Sequence, residues 1–139
     1  MDDIIKEKIS ADHLLYVSLK YTKTCDVIVN LLLRWKIMID KSLEALIKKA
    51  GKKWNPTLIA PRARLIQLKK IYAKDLVVME TLELYEFFRE LEKLDKTREN
   101  EFRKGVNLKV NYNGEIVNIN LEKLAEYSKI LERFISYLK

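Results

Sequence analysis

The chain is poor in the residues that most often carry chemistry or bend a backbone. Among 139 residues there is one cysteine, Cys25, and one histidine, His13. A lone cysteine excludes an internal disulfide and the cysteine pairs of structural zinc. A lone histidine excludes any site that needs two imidazoles from one chain. Three glycines and two prolines are too few for a loop-rich sandwich, and scattered glycines cannot form a phosphate-cradling loop. Long apolar runs are also missing. The longest, Val27 to Leu33, is interrupted by Asn30 and closed by Arg34, well short of the ~20 residues that span a bilayer. The N-terminal MDDIIKEKIS is acidic where a signal peptide is basic. These absences predict a cytoplasmic, non-membrane protein with no metal and no cofactor. Gln67 is the only glutamine, against abundant Lys, Glu, Ile and Tyr, a bias seen in proteins from hot environments.

What is present is helical periodicity. Apolar residues recur in steps of three and four from Val17 through Tyr21, Cys25, Ile28, Leu32, Trp35, Ile39, Leu43 and Leu46, one face of a helix. Residues 1–9 read as a flexible leader and Ser10 as the cap of the first helix. Residues 10–50 fit one very long helix or two joined near Tyr21 to Thr24, with Thr24 capping the second. Gly51 supplies a stop, with Lys48 and Lys49 at the negative end. Residues 51–60 form a loop around Pro56, and Pro61 starts the next helix. That helix has a break near Ala73 to Asp75, where Asp75 can cap a second piece. Thr97 can cap a short segment ending at Gly105. The period then changes to alternation on both sides of Asn113-Gly114, the strongest short signal for a hairpin. Asn120 caps a last helix. The expected fold is mostly all-α: a single domain, 1–139, of four to five bundled helices with one small β-hairpin near residues 106–119. The long apolar face of the first helix predicts a homodimer.

Charge is unevenly placed. The net charge is +7. Between Lys48 and Lys74 there are nine basic residues and no acid; between Asp75 and Glu101 there are nine acids and four bases. The first block offers a candidate surface for nucleic acid or another acidic partner: Lys48, Lys49, Lys52, Lys53, Arg62, Arg64, Lys69 and Lys70, with Trp54 placed to stack on a base. The competing reading is that these cations face water or pair with the acidic helix. A second candidate is the polar cluster Arg98, Asn100, Glu101 and Arg103. His13 and Cys25 read as structural: a general base needs a reacting group beside it, and a thiol on an apolar helix face is inert.

The start ADHLLYVSLKYTKTCDVI, the segment RENEFRKGV and the final amphipathic helix resemble small archaeal helical-bundle proteins of the HEPN superfamily. The resemblance implies a dimeric bundle of four or five helices. It also implies kinship with metal-independent ribonucleases and with partners of small nucleotidyltransferases. The ribonucleases of that family carry an Arg followed, after four to six residues, by His. Counting from Arg98 or Arg103 reaches no histidine, so the catalytic role does not carry over. The leading expectation is therefore a non-catalytic interaction module that acts with a protein, such as a nucleotidyltransferase, or with nucleic acid. One alternative is a basic-surface RNA- or DNA-binding protein using residues 48–74. A second is a divergent ribonuclease using Arg98, Asn100, Glu101 and Arg103. A winged-helix reading, with the hairpin as wing, fails on charge, because the helix before the wing is acidic and phosphates would repel it.

Overall fold

The computed structural model describes residues 1–139. The chain is mostly helical, with a small three-stranded antiparallel sheet. No helix is long and apolar enough to cross a membrane.

The first rod consists of α1 (Asp2–His13), a π-helical turn (Leu14–Ser18) and the short α2 (Leu19–Tyr21). The core positions step by seven, from Ile4 to Ala11, and then by eight to Leu19. The wider π turn absorbs that extra residue. The expected leader is thus helical, and the expected cap Ser10 lies inside α1. The reason is tertiary. Ile4 is buried, and the Glu7 carboxylate accepts from Arg34 at 3.1 Å and from Lys41 at 2.9 Å. Those bonds tie the rod to α3 (Cys25–Ala50).

The two rods are separate helices. Thr24 is extended, and its hydroxyl accepts from the Val27 amide at 3.3 Å, a side-chain cap. α3 is the axis of the molecule and buries Ile28, Leu31, Leu32, Trp35, Met38, Ile39 and Leu46. It ends at Gly51, φ +58°. Pro61 opens α4 (Pro61–Ile71). Asp75 caps α5 (Leu76–Glu90), accepting from the Val78 amide at 3.4 Å. Asn120 caps α6 (Leu121–Leu138), accepting from Lys123 at 2.8 Å. Aromatic rings join α3, α5 and α6. Trp35 stacks on Phe88 with centroids 6.2 Å apart, and Tyr127 meets both rings edge-on.

The segment expected as a capped helical turn is instead β1 (Lys96–Glu99), followed by a loop. Its four residues, KTRE, offer no apolar face for a helix to bury. They extend because β2 (Asn107–Tyr112) supplies a ladder, pairing Lys96 with Val110 and Glu99 with Asn107. β2 also pairs with β3 (Glu115–Asn120) across Asn113 and Gly114, both at positive φ. A third strand therefore joins the expected hairpin. The sheet belongs to the main core: Leu108, Val110 and Ile119 are buried with the helical residues.

Candidate functional site

The basic stretch does not stay together; the fold divides it. Arg64 pairs with Glu44 on α3 at 2.6 Å, and Lys69 pairs with Glu86 on α5 at 2.6 Å. Trp54 is half-buried against the core, with the Arg64 guanidinium 6.0 Å from its ring centre. It is a packing residue on the flank of α3 rather than a free stacking platform. Arg62 lies in a groove beside Glu86, Arg89 and Glu90. On this face Arg64 and Lys69 answer acids of neighbouring helices.

The other half gathers at the end of α3. Tyr72, just past α4, donates its hydroxyl to the Leu46 carbonyl at 2.6 Å. That bond brings the end of α4 against the last turns of α3. Between them lies a cleft of about 630 Å³, lined by Lys49, Lys53, Tyr72, Lys74, Asp75 and Tyr137 among others. Lys49 is partly committed: its ammonium donates to the Tyr137 carbonyl at 3.2 Å and sits 4.2 Å from that ring's centre. Lys48, Lys52, Lys53, Lys70 and Lys74 are exposed and hold no carboxylate. The only acid in the lining, Asp75, caps α5. Burial, then the neighbouring Asp75 carboxylate, pushes the Tyr137 phenol up to about 12, so it stays a protonated donor at neutral pH. The start of α5 lies in the same wall, with its end already capped by the Asp75 carboxylate. The arrangement suits an anion held by the lysine ammonium groups, since the Tyr72 proton is given to Leu46 and the Tyr137 phenol faces Asp75. Reading the chain for basic residues finds the lysines but misses Tyr72 and Tyr137. Tyr137 comes from the far end of the sequence, and only its place on the last helical face hints at the cleft.

The polar cluster runs from β1 into the β1–β2 loop. Arg98 bridges Asp26, at 2.6 Å, and Glu101, at 3.4 Å. The Arg98 guanidinium holds the Asp26 carboxyl below its usual range. Asn100 closes the loop by donating to the Gly105 carbonyl at 3.2 Å. Arg103 is exposed and unpaired. These side chains serve the loop and do not converge on a shared point. Cys25 is buried and its thiol contacts the Asn107 carbonyl at 3.4 Å. Burial raises its pKa, which leaves the thiolate scarce. His13 is exposed at the end of α1. No group of three or more His, Cys, Asp or Glu side chains is placed to hold a metal ion.

Comparison of the chain with protein-family models, with curated proteins and with solved structures finds no match.

Proposed function

We propose that this protein is a non-catalytic binding module that takes the phosphates of a nucleic acid at the lysine-rich end of α3, in keeping with its resemblance to HEPN-superfamily bundles. One observation carries the reading. Lys49, Lys53 and Lys74 line one cleft, and none of them is paired with a carboxylate. Such cations attract phosphate by releasing its counterions, so binding is strong at low salt and falls steeply as salt rises. The test is fluorescence anisotropy with labelled RNA and DNA at two salt concentrations. The double variant Lys53→Glu/Lys74→Glu is expected to weaken binding to all sequences and to reduce the salt slope by about two. Binding that ignores salt, or that survives the charge reversal unchanged, defeats the proposal.

We propose further that the module is a homodimer, in which a second copy covers Ile9, Tyr16 and Val17. These apolar side chains are exposed on the first rod. Light scattering on the same samples reads the molar mass directly, and a monomer at working concentration removes this part.

A further inference from the structure

The opposite end of α3 carries a feature for which neither the core nor the cleft has any use. Phe102, in the β1–β2 loop, is 74% exposed and sits at φ +66°. A bulky side chain at positive φ is an outlier, and such strain persists only where the surroundings enforce it. Here they do. The Phe102 amide donates to the Lys23 carbonyl at 2.6 Å, pinning the loop to the joint before α3. Asn100, also at positive φ, closes the loop from within. The backbone thus holds an aromatic ring out in water. Tyr21, two residues before Lys23, is 78% exposed, with the Lys20 ammonium 5.8 Å from its ring centre.

The charges around these rings are unequal. The nearby carboxylates are occupied: Asp26 and Glu101 by Arg98, and Glu99 by Lys109 at 3.3 Å. Lys20, Lys23, Arg103 and Lys104 are paired with none. A second copy of this chain would bring like charges face to face, which disfavours self-association here. Lys23 also donates to the Lys20 carbonyl at 2.7 Å. Exposed rings among cations that hold no carboxylate match the chemistry of an unpaired strand, whose bases have open π faces and whose backbone is anionic.

We propose that Tyr21 and Phe102 form a stacking platform for single-stranded nucleic acid, with Lys20, Lys23, Arg103 and Lys104 holding its phosphates. The platform lies at the far end of α3 from the lysine cleft, roughly 40 Å away along a helix of 26 residues. It goes beyond the cleft reading, because it selects unpaired bases where the cleft answers only to charge.

The test measures anisotropy of a labelled U-rich single strand and of a duplex of the same length. The variants are Tyr21→Ala, Phe102→Gly and Phe102→Tyr. Phe102→Gly removes the ring while accepting the positive φ, so the loop keeps its shape, and a thermal melt verifies the fold. Loss of either ring is expected to weaken single-strand binding about fivefold or more while duplex binding shifts by less than about twofold, and Phe102→Tyr retains wild-type affinity. Lys53→Glu/Lys74→Glu is expected to weaken both substrates by the same factor, so failure of the cleft leaves the ring effect legible. Folded ring variants with unchanged affinity overturn the proposal. So does an equal loss on duplex, or a change in molar mass, which would mark the surface as a contact between copies.

Discussion

At the cleft end of α3 the chain reverses through Gly51, φ +58°, and a side chain there would meet nothing within 4 Å. At the sheet end it reverses through Asn100 and Phe102, at φ +53° and +66°. The first turn uses the residue that adopts positive φ freely; the second forces a phenylalanine into it. The charges differ as well. At the cleft Lys53 and Lys74 hold no carboxylate, whereas at the sheet end Arg98 is held by two, beside cations that hold none. The contrast teaches how the two proposed sites would differ: the cleft end would work through cations and discriminate little, whereas the sheet end, with its ring placed by backbone geometry, would discriminate by shape.

The largest test of that contrast asks whether both ends hang on one core. Phe88 lies between them and touches Trp35, Phe87 and Tyr127. Phe88→Ala is expected to cost about 3–5 kcal/mol. Urea melts followed by circular dichroism and by tryptophan fluorescence should shift together; separate transitions would show ends that fold apart. A smaller effect sharpens the backbone comparison. Gly51→Ala is expected to cost about 1–3 kcal/mol, because φ +58° with ψ −125° is a conformation that glycine adopts and a residue with a Cβ does not, whereas Phe102→Gly should lose nothing in a thermal melt, because relief of strain offsets the added chain entropy. A Phe102→Gly variant that melts well below wild type would mean that the ring is structural.

The smallest effect concerns the clasp between the first rod and α3. The Lys41 bond, aided by Arg34 and opposed by desolvation, lowers the Glu7 pKa from its ordinary 4.5. A depressed carboxylate stabilises the fold fully above its unfolded value and loses that contribution as pH falls through the folded one. Glu7→Gln is therefore expected to cost about 1 kcal/mol or less near neutrality. The gap to wild type should close as the medium is acidified below the ordinary range. A gap that persists in acid would show that the variant acts through packing instead.

Local signals were legible in the sequence. Thr24, Asp75 and Asn120 each cap the helix that follows. Gly51, Pro61 and Asn113-Gly114 punctuate the chain where their φ preferences require. What escaped depends on distant partners. Residues 1–9 have no capping side chain, and their helix is secured by Ile4 burial and by Arg34 and Lys41 on another element. The strand Lys96–Glu99 has no alternating apolar pattern, because β1 is an edge strand exposed along nearly all its length. The lysines were visible as a run, but their division was not: it depends on Glu44 and Glu86 claiming Arg64 and Lys69. The Phe102 conformation leaves no trace in composition, since nothing about the letter F announces a left-handed backbone.

The solitary thiol has a practical consequence. Cys25 starts α3 and its thiol leans on the β2 backbone, so an alkylating reagent reaches it only when the seam between helix and sheet breathes. The native chain thus contains its own gauge of local opening, and the rate at which that single thiol is trapped counts how often the loop-bearing end parts from the helical axis.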